Sequence, residues 1–336
     1  MTYNYVFYIQ DEDYYHIAFN DLLALDCASL RFNFLPDGVS SSAKLIHKIH
    51  LSKRIEKYIR IPLRSLWFKR YDNFCFKTEK PICFVFDARF LQEIHTHEYI
   101  KYLKRKYPSS KIVVFYLDGV DTYKHGHKAL PENTRSFSNL LISFDKGDSV
   151  IYDMYYHPSL YSKILIPENS SIEEFDVYFV GKAKNRLSTI YNIYDKLTEK
   201  GLSCSFFLTE VPEQDRRYSK GLYYIKRMSY LENLQRLIKS KAILEIMREG
   251  AVGYTLRLWE SITYNKYIIT DNPVIADDPI LSIQQGVFST TEESISDFIC
   301  QLRDSKTTHL YSCDALSIFS PVSFLLELDN ILKSLK

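Results

Sequence analysis

Short apolar runs punctuate this chain, and longer amphipathic stretches separate them. Tyr5–Ile9 (YVFYI), Ile82–Phe86 (ICFVF), Ile112–Leu117 (IVVFYL) and Leu140–Phe144 (LLISF) are too short for buried helices and do not alternate with charged positions. A strand that is apolar on both sides is covered on both faces, the situation of a parallel sheet between helices. His95–Lys106 (HTHEYIKYLKRK) has helical spacing and closes at Tyr107-Pro108, so strand, helix and strand make a βαβ unit. The pattern returns downstream. Phe175–Val180 (FDVYFV), Ser205–Leu208, Ile243–Ile246 and Tyr267–Thr270 are predicted strands. Arg186–Lys200, a helix from Ser229 through Lys239, and Leu256–Tyr264 are predicted helices. Gly201 supplies the left-handed residue that closes the first of these, and Ser229 with Glu232 predicts a capping box for the second.

A chain of 336 residues exceeds one ordinary core and suits two α/β domains. The densest turn composition, Pro167 to Ser171, places the boundary between Pro158 and Ser171. The predicted organisation is an N-terminal domain over 1–165, a C-terminal domain over 166–320, and a helix in 321–336 that packs back on either. The 43 Lys and Arg residues nearly balance 41 Asp and Glu, so no whole-chain field favours nucleic acid. The six cysteines, Cys27, Cys75, Cys83, Cys204, Cys300 and Cys313, have no C-x-x-C spacing, which argues against zinc. They read as reduced core residues of a cytoplasmic protein. The N-terminus lacks a basic, then apolar, leader, and no run reaches the roughly 18 apolar residues of a membrane span.

The chemistry concentrates in Glu245–Asn272 (EIMREGAVGYTLRLWESITYNKYIITDN). A strand ends, a loop with Gly250 and Gly253 follows, and a helix opens at Thr255 or its neighbours. Such a helix start attracts anions through its unpaired N–H groups and dipole. Gly253 allows close approach, Thr255 offers a hydroxyl, Leu256 begins the helix, and Arg257 can fork onto phosphate oxygens. Glu260, about one turn on, can accept from a ribose diol. The run Gly181-Lys182-Ala183-Lys184-Asn185-Arg186 follows another strand and crowds Lys182, Lys184 and Arg186 where a helix begins. Cations there oppose the helix dipole unless an anion joins them. A plain surface ion pair between Arg257 and Glu260, and a solvated basic loop at 181–186, are the structural alternatives.

These segments, FDVYFVGKAKNR and YLENLQRLIKSKAILEIMREGAVGYTLRLWESITYNKYIITDN, resemble bacterial glycosyltransferases of the lipopolysaccharide and capsular polysaccharide biosynthesis type. The resemblance is clearest over Asp176–Asn272 and rests on Gly253, Thr255, Leu256, Arg257 and Glu260, with Glu232–Gln235 and Leu244–Ile246 upstream. It implies a GT-B fold, two Rossmann-like domains facing across a cleft, with the donor on the second. It implies a nucleotide diphosphate sugar as substrate, no cofactor and no essential metal. Gly181, Lys182, Lys184, Arg186, Gly253, Thr255, Leu256 and Arg257 would face the diphosphate, and Glu260 the ribose. The base would lie near Tyr223–Ile225 and the turn to Ser229, against Ile225 and Met228. Val252 stands where the commonest retaining enzymes of this fold have Glu, so stereochemistry stays open.

An acceptor hydroxyl needs a general base. Asp87, Asp118 and Asp145 each follow a predicted strand of the first half, and Asp118 and Asp145 are the chosen candidates. Asp11-Glu12-Asp13 matches D-x-D, the metal-diphosphate motif of the other large glycosyltransferase fold, which is the metal-dependent alternative. Ala43–Arg70 carries nine Lys and Arg against Glu56 alone, and its apolar residues keep helical spacing until Pro62. A basic amphipathic helix of that kind suits peripheral contact with a membrane through 44–70, at the inner face of the cell membrane, and a lipid-linked or oligosaccharide acceptor. A nucleotide-sugar epimerase and a non-catalytic nucleotide-sugar-binding subunit are the rival functions, and no nucleic-acid partner is expected.

Overall fold

The apolar runs form two separate six-stranded sheets, and every recorded strand pairing is parallel. The computed structural model describes residues 1–35, 38–59, 61–93, 95–126, 129–248, 253–304 and 309–335. The first sheet comprises β1 (Asn4–Tyr8), β2 (Ala28–Arg31), β3 (Ile82–Asp87), β4 (Lys111–Tyr116), β5 (Leu140–Ser143) and β6 (Tyr155–Tyr156), in the order β2-β1-β3-β4-β5-β6. The second comprises β7 (Phe175–Lys182), β8 (Cys204–Thr209), β9 (Leu222–Tyr224), β10 (Ser240–Glu245), β11 (Tyr267–Thr270) and β12 (Val287–Ser289), in the order β12-β11-β10-β7-β8-β9. The longer helices are α1 (Ser41–His50), α2 (Thr96–Lys106), α3 (Leu187–Glu199), α4 (Tyr230–Ile238), α5 (Leu256–Thr263), α6 (Glu292–Asp304) and α7 (Pro321–Ser334).

The chain divides into two units. Unit 1 is Met1–Leu160 with Pro321–Lys336, and unit 2 is Tyr161–Ser320. In unit 1 the strands are apolar throughout because each face has its own core. Val6, Tyr8, Phe84, Phe86 and Val114 pack on one side, where α2 contributes Tyr99, Ile100 and Leu103. Tyr5, Phe7, Cys83, Val85 and Phe115 pack on the other, against Phe324, Leu325, Leu328 and Leu332 of α7. The C-terminal helix is therefore part of unit 1.

Local chemistry sets several boundaries. Gly201, at φ 82°, follows α3; its N–H bonds to Thr198 and that of Leu202 to Leu197, the double closure of a Schellman turn. Ser229 caps α4 by accepting from the Glu232 N–H, but the Glu232 carboxylate turns to Arg236 instead of completing a capping box. β7 runs two residues beyond Val180, so Gly181 and Lys182 are strand residues paired with Leu208 and Thr209, not loop residues. The basic segment is not one helix up to Pro62: α1 stops at His50, and Ser52 caps a separate short turn, Lys53–Glu56. The cysteines are free, but only Cys83 and Cys204 are buried, while Cys75, Cys300 and Cys313 are exposed. Three strands, β2, β6 and β12, are short and lack the long apolar runs that announce the others.

Candidate functional site

Numbered within unit 2 alone, the strand order is that of a dinucleotide-binding sheet, 3-2-1-4-5-6, and it reverses between β7 and β10. Ligands of such sheets bind at the carboxyl ends of the strands on either side of that reversal. Arg186 and Arg257, two of the predicted residues, lie there. Arg186 donates through Nη2 to the Lys182 carbonyl at 2.6 Å and through Nη1 to the Ile246 carbonyl, tying the end of β7 to that of β10. Its Nε is buried without a hydrogen-bond partner among the described residues. Burial lowers the Arg186 pKa, and repulsion from Arg248 and Arg257 lowers it further, with only Asp271 opposing them. Arg186 and Arg257 thus both donate to carbonyls at the carboxyl ends of β7 and β10, and Arg248 follows two residues after Ile246. An anion of charge two or more would relieve that repulsion.

Helix α5 begins beside these strand ends. Gly253 takes φ 116°, a left-handed conformation that a side chain would strain. Thr255 is the cap: its hydroxyl accepts from the Arg257 N–H at 3.1 Å and donates to Glu245. Glu245, buried at the end of β10, also accepts from Thr270. Burial raises its pKa against these hydroxyls. Thr255 therefore fixes where the helix starts, and its proton is committed inward and not to a phosphate. Gly250 and Val252 lie outside the described residues.

Arg257 is partly exposed, at 22%, and divides its guanidinium between the Glu260 carboxylate at 2.6 Å and the Val180 carbonyl at 2.8 Å. Burial opposes its charge, but Glu260 outweighs that and raises its pKa. Glu260 is 0% exposed. Its second oxygen accepts from the Tyr230 hydroxyl at 2.7 Å and the Asn233 amide at 3.0 Å. Glu260, the residue expected to meet the ribose, is enclosed, and its oxygens accept from Arg257, Tyr230 and Asn233. Tyr230, Asn233 and Tyr161, whose hydroxyl is 2.9 Å from that of Tyr230, complete this network. Their spacing over Tyr161, Tyr230, Asn233 and Glu260 gave no sequence signal beyond the Glu232–Gln235 resemblance.

The remaining predicted donor residues are dispersed around this centre. Lys182 is exposed and pairs with Glu210 at 2.5 Å. Lys184 is exposed, in a left-handed conformation at φ 47°. Leu256 is half-buried at the start of α5. Ile225 extends the β9 ladder by donating to Leu208, and the Met228 sulfur meets the Tyr178 hydroxyl at 3.4 Å. Arg248, which the sequence reading did not single out, is exposed three residues past β10.

Unit 1 holds a cavity of about 1000 Å³ at the carboxyl ends of β1 to β4, lined among others by Gln10, Asn33, Lys48, Arg89, Glu93 and Tyr123. Asp118 stands beside it in an ion pair with Arg89, which also donates to Gln10 at 2.8 Å. Asp87 is buried, and its pKa is pushed up to about 6 mainly by burial; its oxygens accept from the Arg89 and Gln10 N–H groups. Asp145 caps a short helix, Lys146–Ile151, by accepting from the Asp148 N–H at 2.8 Å. Asp145, expected as a candidate base, thus has one carboxylate oxygen engaged by its own turn. Asp11 of the D-x-D run bonds His16 at 2.7 Å and Asn33 at 3.1 Å. Among the described residues, no group of three or more His, Cys, Asp or Glu side chains could hold a metal ion.

No protein-family model and no curated protein matches the chain. Among solved structures it is similar to an alpha-glucosyltransferase in complex with UDP-glucose and DNA containing an abasic site, at 11% identity and a TM-score of 0.57, over 98% of this chain and 99% of that one. An alpha-glucosyltransferase in complex with UDP and a 13-mer DNA containing a HMU base is similar at 13% identity and a TM-score of 0.54, over the same shares of the two chains. The fold is GT-B. A UDP-GlcNAc 2-epimerase from Neisseria meningitidis aligns over 98% of this chain and 99% of its own with a TM-score of 0.48 and 11% identity. At such identities the GT-B likeness speaks for architecture, and the reaction has to be argued from the side chains.

Proposed function

We propose that this GT-B chain transfers a sugar from a nucleotide diphosphate sugar to a hydroxyl of a cell-surface polysaccharide intermediate, of the lipopolysaccharide O-antigen, capsule or exopolysaccharide kind. The observation that carries the reading is that Arg186 and Arg257 both reach carbonyls at the strand ends of the β7–β10 reversal, beside the start of α5, with Arg248 close by in the chain. As the glycosidic bond breaks, charge develops on the leaving diphosphate, and fixed cations stabilise that charge without reorganising. Arg257 is aimed from below by Glu260, while Arg186 is aimed by two carbonyls. In this reading the guanidinium groups do the work that a divalent metal does elsewhere, so transfer proceeds without added metal. Asp118 is the proposed acceptor base, held beside the unit 1 cavity by Arg89. The acceptor is a lipid-linked glycan presented at the inner face of the cell membrane, and nucleic acid is not proposed as a partner.

The test is release of nucleoside diphosphate from a panel of nucleotide sugars, with and without glycan acceptors, in the presence of chelator. Acceptor-dependent release that survives chelation is expected. Conversion of the sugar without any acceptor would instead mark an epimerase, and binding without turnover a non-catalytic subunit. Asp118→Asn is expected to lower kcat by roughly 10²–10⁴-fold with little change in donor affinity.

A further inference from the structure

Helix α1 has the apolar periodicity of a core helix, yet none of its residues is buried. Leu45, Ile46 and Ile49 lie on one arc and face solvent, while Lys44, His47 and Lys48 on the other side line the unit 1 cavity. The chain that follows keeps this character, with Tyr58, Ile59, Leu63 and Leu66 also outward. These seven side chains are between 46% and 81% exposed. Scattered apolar residues on a surface need no explanation, but a concentration of this size within one segment does. Arg54, Lys57, Lys69 and Arg70 are exposed in the same segment. Glu56, the only acid in Ala43–Arg70, is taken by the buried Arg64. The positive charge of this exposed segment therefore has no acidic partner within the segment itself.

We infer that this face docks on an anionic lipid bilayer. Leu45, Ile46 and Ile49 enter the boundary between headgroups and acyl chains, and the surrounding lysines and arginines meet lipid phosphates. A bilayer satisfies both halves of the surface. A nucleic-acid backbone would pair with the cations but leave the aliphatic side chains without a partner. A second copy of the chain would bring one cationic face against its twin. The inference extends the reading of a membrane-borne acceptor, because α1 is at once cavity wall and lipid face. Vesicle binding needs neither donor nor turnover, so the two ideas can fail separately.

Cosedimentation of the full chain with phosphatidylcholine vesicles, and with vesicles that also contain phosphatidylglycerol, tests it. Binding is expected only with the anionic lipid, and it should weaken as salt screens the attraction. The Leu45→Ser/Ile46→Ser/Ile49→Ser variant, altered only at exposed positions, should keep its melting temperature and bind at least about tenfold more weakly. Lys57→Glu/Lys69→Glu should abolish the preference for anionic lipid. No binding to anionic vesicles, equal binding to both compositions, or unchanged binding by the serine variant overturns the proposal. So does a concentration-dependent dimer, or duplex DNA binding, that the serine variant abolishes, because the face would then belong to that other occupant.

Discussion

Arg257 and Glu260 are the pair on which sequence and structure differ most usefully. Their spacing is compatible with two ligand contacts or with one ion pair, and only burial separates these. With Glu260 wholly enclosed, removing Arg257 strands a buried carboxylate, which costs about 3 kcal/mol or more. Arg257→Ala is therefore expected to lower the thermal midpoint of unit 2, and Arg257→Ala/Glu260→Gln to recover much of the loss. Equal midpoints for the two variants would show that the pair carries little of the fold. Arg248 is the opposite case, since it is exposed and off any helix or strand. Arg248→Ala should leave stability unchanged and weaken nucleoside diphosphate binding roughly tenfold, the loss of one charge-assisted contact. The parent nucleoside, which has no phosphate, should bind both forms alike; calorimetric titration of the two ligands checks this. Arg186 and Arg257 drew attention in the sequence because each stands at or near a helix start, whereas Arg248 lies in a stretch without a helix or strand, where local spacing carries no such signal.

Helix α7 shows how an element is placed by contacts far from it in sequence. Asp329, on its buried face, accepts from the Thr2 N–H at 2.7 Å, the Tyr3 N–H at 3.3 Å and the Tyr5 hydroxyl at 2.8 Å, and pairs with Lys333. Burial pushes its pKa up, but Lys333, Tyr5 and the two N–H groups outweigh it and bring the value from 3.8 to about 2. A carboxyl whose folded pKa is depressed stabilises the fold above its unfolded pKa and loses that contribution as pH falls through the folded one. Asp329→Asn should cost about 1–3 kcal/mol at neutral pH, and the difference from the parent chain should shrink between about pH 4 and pH 2. Denaturant titrations across that range would expose a constant difference, which would rule out this account. The amphipathic pattern of 321–336 announced a helix. Its partner could not be read, because a carboxylate that binds β1 looks in sequence like any polar residue.

For the whole molecule, the return of α7 makes unit 1 discontinuous while unit 2 is one continuous segment. Phe324, Leu325, Leu328 and Leu332 are almost fully buried. Exposing them would forfeit about 1.5–3 kcal/mol each, comparable in sum to the stability of an ordinary domain. Ending the chain at Ser320 is therefore expected to unfold unit 1 and to spare unit 2. Scanning calorimetry should then show the loss of one transition, with the surviving one still raised by nucleoside diphosphate, about 2.7 kcal/mol at a hundredfold excess over Kd. Two intact transitions after truncation would contradict the assignment of α7 to unit 1.

The sequence alone determined the βα rhythm and the presence of two α/β halves. Those depend on periodicity, capping and turn chemistry, which act over a few neighbouring residues. Tertiary structure decided that Arg186 and Arg257 reach neighbouring strand ends, that Glu260 is enclosed, that Asp145 caps its own turn, and that the apolar arc of α1 faces outward. Each of those depends on which surfaces meet across many residues of chain, and burial and charge pairing are properties of that meeting, not of any residue by itself.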